Sequence, residues 1–101
     1  MEKFDFKTGE VILNDFDFED NKSYAEQIWS FKEDILQVRY KKNNVIDLGW
    51  YPEFDLEEGY FKLIIVKKDD WLNPIFCKTT KSIKEVRDFI AEAVDIAESL
   101  E

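Results

Sequence analysis

The chain has 101 residues, of which 45% are hydrophobic and 16% aromatic, so it can bury a core as one domain over residues 1–101. Its 14 bases and 23 acids give a net charge of −9. This charge disfavours direct binding to nucleic acid or to an anionic membrane and suits a basic protein partner, although solubility alone would also explain it.

The first 20 residues predict a β-hairpin. Phe4 and Phe6 alternate with charged residues, Thr8-Gly9 is typical of a turn, and residues 11–13 are apolar. Phe16 and Phe18 alternate with acids, which predicts either an extension of the second arm or an irregular segment.

A first helix is predicted to begin at the capping box Ser23-Tyr24-Ala25-Glu26. Tyr24, Ile28 and Phe31 are spaced so that they share one helical face. We expect this helix to end near Glu33.

The hydrophobic period changes to two from Ile35 onward, which predicts a strand with Leu36, Val38 and Tyr40 on its inner face. The residues at 42–44 include two asparagines, which tolerate the left-handed conformation of a turn. These features predict two antiparallel strands joined by a short connection.

The next strand raises a question, because it ends in two adjacent aromatic residues, Trp50 and Tyr51, and a strand sends neighbours to opposite faces. Trp50 shares a face with Ile46 and Leu48 and is therefore predicted to be in the core. Tyr51 is predicted to lie outside. The strand should stop at Pro52, which has no backbone donor, and a loop should follow to residue 59.

The last part of the chain predicts strands at 60–68 and 75–79, a turn at 69–74 and a helix from a second capping box at 82–85 to about Ser99. The predicted apolar stripe of that helix is Val86, Phe89, Ile90, Ala93, Ala97 and Leu100. The fold class is therefore α+β. We expect an antiparallel meander sheet with two amphipathic helices packed on one face, as a two-layer sandwich.

The residue types needed for most catalysis are missing, so we predict no enzyme, no cofactor and no metal site. There is no histidine, and three glycines form no phosphate loop. The acids at 15–20 lack the glycine of a calcium loop, and Asp69-Asp70 is explained more simply by a polar turn than by a catalytic acid pair. The one cysteine, Cys77, is predicted to be buried in a strand and, with no signal or membrane segment apparent, fits a cytoplasmic protein.

The acids are concentrated in a few segments. Residues 43–61 contain five acids and no base, together with the aromatic residues Trp50, Tyr51, Phe54 and Tyr60, a combination typical of protein interfaces. In the last helix Asp88, Glu92 and Asp95 share one face, which is either solvated and paired with sheet lysines such as Lys62, Lys67 and Lys68 or presented to a basic partner.

The strings DLGWYPE at 47–53, GYF at 59–61 and DWLNP at 70–74 resemble small immunity proteins of contact-dependent growth inhibition and related polymorphic toxin systems. The resemblance extends over about residues 34–90. It implies a protein that neutralises a cognate toxin, often a basic nuclease, by binding it without catalysis, with carboxylates in the place of substrate phosphates.

From the acids, the aromatics and this resemblance we predict one partner-binding surface. Its acids would attract and pair with Lys or Arg, while Tyr51 and Trp71 would be apolar anchors. Two alternatives are an acidic adaptor or regulatory domain without a toxin partner and a small enzyme that uses carboxylates. The predicted contact residues are Tyr51, Glu53, Asp55, Glu57, Glu58, Asp69, Asp70 and Trp71.

Overall fold

The computed structural model describes residues 1–101 and has an α+β fold. Five strands form one sheet and a long helix, α1, follows them in the chain. A short 3-10 helix lies between the first two strands. The elements are β1 (Glu10–Asn14), the 3-10 helix (Ala25–Ser30), β2 (Leu36–Arg39), β3 (Asn44–Tyr51), β4 (Tyr60–Lys67), β5 (Phe76–Thr80) and α1 (Ile83–Ser99).

The predicted antiparallel meander is confirmed, because the strands lie in the order β1-β2-β3-β4-β5 and every neighbouring pair is antiparallel. β3 and β4 pair along their whole length, from Asn44 opposite Lys67 to Tyr51 opposite Tyr60. The turn between β2 and β3 uses Asn43 in the left-handed conformation, with φ of 64°. β1 and β5 form the two edges of the sheet.

The core lies between one face of the sheet and α1. Trp50 is fully buried together with Ile46 and Leu48, as their alternation predicts. In α1 the predicted stripe is buried at Val86, Ile90, Ala93 and Ala97, half-buried at Phe89 and Leu100, and widened by Val94. The opposite face of the sheet, which we call the outer face, is not covered by α1.

The predicted N-terminal hairpin is wrong. Residues 1–9 form no strand, although Phe6 is buried and Phe4 packs against the core. The Asp5 carboxylate accepts a hydrogen bond from the backbone N–H of Lys7, whose φ is 55°, so the chain turns before a ladder can form. β1 therefore pairs with β2 instead, and residues 15–19 are the irregular segment.

The predicted first helix is only a six-residue 3-10 helix, so the fold contains one long helix and not two. Its capping box does form, with Ser23 and Glu26 exchanging hydrogen bonds of 2.9 and 3.2 Å. The helix fails at Gln27, whose φ of −123° is not helical. The Gln27 side chain is buried and makes three hydrogen bonds to backbone groups of Glu19 and Lys22, which hold it out of helical geometry.

Cys77 is exposed, so its predicted burial is also wrong. It lies opposite Ile64 in the register of β4 and β5, and both residues point to the outer face. Because β5 is an edge strand, nothing covers Cys77 from the side. The apolar neighbours of Cys77 in the sequence do not reveal which face it takes.

No helix has both the length and the apolar composition needed to cross a bilayer.

Candidate functional site

The loop between β3 and β4, residues 52–59, is braced by its own Asp55. One oxygen of the Asp55 carboxylate accepts hydrogen bonds from the backbone N–H groups of Glu57 and Glu58, at 3.1 and 2.9 Å. The backbone carbonyl of Asp55 accepts from Gly59 and from the Trp50 indole, each at 2.9 Å. Asp55 is therefore occupied in holding the loop, although it was predicted as a partner contact.

The other acids of this loop form no salt bridge and are in this sense free. Glu53, Glu57 and Glu58 are exposed. Glu53 accepts one long hydrogen bond, 3.3 Å, from the backbone N–H of Glu33. The ammonium of Lys81 contacts the loop through the Glu57 carbonyl oxygen at 2.6 Å and leaves the Glu57 carboxylate unpaired.

Trp29 is the main feature that the sequence reasoning missed. Its side chain is 74% exposed and packs edge-to-face on Phe54, with ring centroids 5.0 Å apart. Phe54 is held by a backbone hydrogen bond of 2.7 Å to Phe31. We call Trp29, Phe54 and the three free loop acids Glu53, Glu57 and Glu58 the acidic-aromatic surface.

A sequence signal for Trp29 did exist. It lies outside the apolar face formed by Tyr24, Ile28 and Phe31, so a helix built on that face would leave it in solvent. Single exposed apolar residues are common on protein surfaces, so this signal alone does not mark Trp29 as a contact.

Tyr51 points to the outer face as predicted, but it is only half exposed. Its ring lies against Gly49, where an added Cβ would be 2.8 Å from the ring and 2.0 Å from the Glu33 carbonyl oxygen. The Tyr51 hydroxyl donates to that same carbonyl at 3.3 Å. Burial raises the pKa of Tyr51, and the nearby charges of Asp47, Asp34 and Glu33 raise it further. The Tyr51 ring is thus held in place on the outer face by Gly49 and the Glu33 carbonyl oxygen.

The structure separates the predicted contacts into two groups. Asp69, Asp70 and Trp71 follow the far end of β4, and a strand of eight residues places them about 23 Å from the 52–59 loop. Asp69 lies 3.9 Å from Arg39, and Asp70 accepts hydrogen bonds from Asn73. Trp71 is 44% exposed. This turn is a separate patch.

Three of the acids that follow β1 are paired with bases. Asp15 binds Lys32 at 2.8 Å, and Asp20 binds Arg87 at 2.6 Å. Glu19 and Lys22 form a further exposed pair. No three cysteine or carboxylate side chains of the chain are grouped so that they could hold a metal ion.

Comparison of the chain with protein-family models, with curated proteins and with solved structures found no match.

Proposed function

We propose that this protein is an immunity protein, which neutralises a basic toxin in the cytoplasm by binding it and catalyses nothing itself. The observation that supports this most directly is the acidic-aromatic surface. An exposed Trp29 packs there on Phe54, beside three free carboxylates.

The composition of this surface is typical of a protein interface. Binding energy in interfaces comes mainly from a few aromatic or arginine anchors, and charged groups around them direct encounter and choose the partner. Trp29 offers a large apolar area, and Glu53, Glu57 and Glu58 offer the charge. The net charge of −9 extends the attraction for a basic partner beyond the contact itself.

The rigidity of the loop favours tight binding. Asp55 fixes the loop backbone before a partner arrives. Its carboxylate accepts hydrogen bonds from two backbone N–H groups, and its carbonyl accepts one from the Trp50 indole. A surface that is already ordered loses less conformational entropy on association. A basic nuclease is the toxin class that fits best, because the free carboxylates would occupy positions that its Lys and Arg side chains offer to phosphates.

The test is growth rescue by co-expression with a panel of basic bacterial nuclease toxins. We expect the wild-type protein to protect cells against one toxin only, and purified proteins to associate at a rate that falls steeply with salt. Reversing charge with Glu57→Lys and Glu58→Lys should lower the association rate and its salt dependence. Trp29→Ala should raise the dissociation rate about 30-fold or more, the effect of losing a hot spot of 2 kcal/mol.

The separate patch at the far end of β4 provides a matched control. Asp69→Lys with Asp70→Lys changes the net charge by the same amount about 23 Å away. Protection that survives the loop reversal and fails with this control would place the interface at the far turn. Protection against no toxin, or against many unrelated ones, would contradict the proposal and favour an adaptor.

A further inference from the structure

The outer face of the sheet contains a cavity of about 300 Å³ beside the 52–59 loop. It opens between β3 and β4, where Tyr51 and Tyr60, directly opposite each other in the strand register, form the wall nearest the loop. Asp47, Lys62 and Ile64 complete the lining. The volume is at the lower limit of small-molecule sites, which suits a single inserted side chain.

Asp47 is the unusual group in this cavity. Its carboxylate is half-buried, and its one hydrogen-bond partner is the Gln37 amide at 3.2 Å. None of the salt bridges of the protein includes it. Burial raises the pKa of Asp47, the Gln37 hydrogen bond lowers it, and the charge of Asp34 raises it again. A partly desolvated carboxylate without a cation is a costly arrangement that an incoming cation would relieve.

The two tyrosines add a second attraction for a cation. The face of an aromatic ring is electronegative and attracts Arg and Lys side chains, more often Arg, whose flat guanidinium also stacks on it. A guanidinium can in addition bind both oxygens of a carboxylate, which an ammonium cannot do as well. The combination of Asp47 with Tyr51 and Tyr60 therefore fits arginine best.

Lys62 also lines this cavity, and its positive charge would repel an incoming cation. Its ammonium forms no salt bridge and no hydrogen bond in the structure, and its side chain is exposed, so it can turn away into solvent. An anion attracted by Lys62 would meet the negative charges of Asp47 and Asp34. Lys62 thus weakens cation binding without making the cavity an anion site.

We propose that this cavity receives an arginine side chain of the basic partner and so fixes the orientation of the toxin on the acidic-aromatic surface. The inference rests on the proposed function for the identity of the partner. The cavity lies directly beside the 52–59 loop, because Tyr51 and Tyr60 are the residues at which β3 ends and β4 begins. One interface can therefore cover both.

The binding step is tested with a blocked peptide, acetyl-Gly-Arg-Gly-amide, titrated into the isotopically labelled protein. The chain has three glycines, so their amide signals are easily distinguished in a nitrogen–proton NMR spectrum. We expect the Gly49 signal, between Asp47 and Tyr51, to shift in a saturable way in the millimolar range. The Gly9 signal should stay, because Gly9 lies beside Val38 and Tyr40 on the inner side of the sheet. The matching citrulline peptide, which lacks the charge, should produce no saturable shift.

Three variants distinguish arginine binding at this cavity from anion binding. Asp47→Asn keeps the shape and the Gln37 contact, and we expect it to raise the Kd of the arginine peptide about tenfold, the effect of losing one charged hydrogen bond. Lys62→Gln should lower that Kd about twofold or more by removing repulsion. Asp70→Asn, at the far end of β4, should leave it unchanged. An unperturbed Gly9 signal verifies that each variant is folded.

The outcomes test the arginine site and the proposed immunity function separately. No shift of Gly49 with the arginine peptide, or equal affinity of the Asp47→Asn variant, would overturn the arginine site while the rescue test with Trp29→Ala still decides the function. If arginine binding depends on Asp47 but the protein rescues cells from no toxin, the arginine site is supported and the immunity function is rejected. Binding that Lys62→Gln abolishes would also overturn the proposal.

Discussion

At the scale of single residues, Tyr40 shows how one buried hydroxyl connects the N-terminal segment to the sheet. Its side chain is 1% exposed, and the hydroxyl donates a hydrogen bond of 3.0 Å to the carbonyl of Phe6. Burial raises the pKa of Tyr40 to about 12, with smaller contributions from the charges of Glu98, Glu101 and Asp5. The folded protein therefore holds this phenol in its neutral form.

This pKa makes the stability depend on alkaline pH. The unfolded chain releases the Tyr40 proton near pH 10, whereas the folded protein keeps it until about pH 12. Below pH 10 the contribution to stability is complete, and it is lost as the pH rises from 10 to 12. We expect the free energy of unfolding to fall by at most about 3 kcal/mol over that interval from this group. Urea unfolding followed by tryptophan fluorescence measures it.

The control is Tyr40→Phe, which has no proton to release. It should be less stable by about 1 kcal/mol at neutral pH, because the Phe6 carbonyl loses its donor. Its stability should then decline less steeply above pH 10, with a remaining slope from Tyr51, whose pKa is also raised. Equal slopes for the two proteins would show that Tyr40 is not the source.

The sequence predicted the position of a side chain correctly where residues alternate between the two faces of a strand that is covered on one face only. Trp50 is in the core and Tyr51 is outside, as their order in β3 requires. Alternation gave no warning for Cys77, because the sequence does not say which face of this short edge strand is covered. Phe76 packs against the core, and Cys77 points to the outer face. Alternation gave no warning of the brace formed by Asp55 either, since those hydrogen bonds depend on the loop conformation.

At the scale of elements, hydrogen bonds that the sequence did not reveal explain why α1 has acids at its C-terminal end. Acids there oppose the helix dipole, and no base lies in the last turn. The Glu98 carboxylate, however, accepts hydrogen bonds from the Thr8 hydroxyl at 2.7 Å and the Thr8 N–H at 3.3 Å. Glu101 accepts from the Lys42 N–H and the Asn44 side chain, at 3.0 and 2.9 Å. These two acids fasten the helix to the rest of the fold.

The exposed acid Asp95 has no such contact, which provides a matched pair of substitutions. Glu98→Ala should lower the free energy of unfolding by about 1 kcal/mol, because two hydrogen bonds to Thr8 are lost. Asp95→Asn should raise it by about 0.3 kcal/mol by removing a charge that opposes the dipole. Chemical denaturation of both variants at one low ionic strength measures the difference. A stabilising effect of both substitutions would show that the Thr8 contact contributes nothing.

The two helices differ in how far sequence could predict them. The capping box of the first forms in full, whereas at α1 Ser82 caps the Glu85 N–H and its own N–H donates to the Thr80 hydroxyl. α1 nevertheless continues for 17 residues with a wide apolar stripe, and its bounds were predicted correctly. The segment after Ser23 was too short for its local preference to prevail over the buried hydrogen bonds of Gln27. The N-terminal hairpin also failed for a local reason, because the turn held by Asp5 and Lys7 ends the extended run, and β1 pairs with β2 instead.

At the scale of the whole molecule, the negative charge is mostly uncompensated. The salt bridges use Lys22, Lys32, Arg39 and Arg87 and leave most of the 23 acids without a paired base. Asp88, Glu92 and Asp95 are exposed and make none of the expected pairs with sheet lysines. Lys62 points to the outer face, away from α1, which explains why it cannot reach them.

This imbalance predicts that salt stabilises the protein. Raising NaCl from about 0.01 M to about 1 M shortens the Debye length from roughly 30 Å to roughly 3 Å, which screens repulsion among the acids. Screening also weakens the salt bridges, but exposed pairs contribute little, so the lost repulsion should dominate. The urea midpoint should therefore rise with salt. In the variant with Glu57→Lys and Glu58→Lys the net charge changes by two for each substitution, from −9 to −5, and the rise should be smaller. A midpoint that falls with salt would mean that the ion pairs of Arg87 and Lys32 outweigh the repulsion.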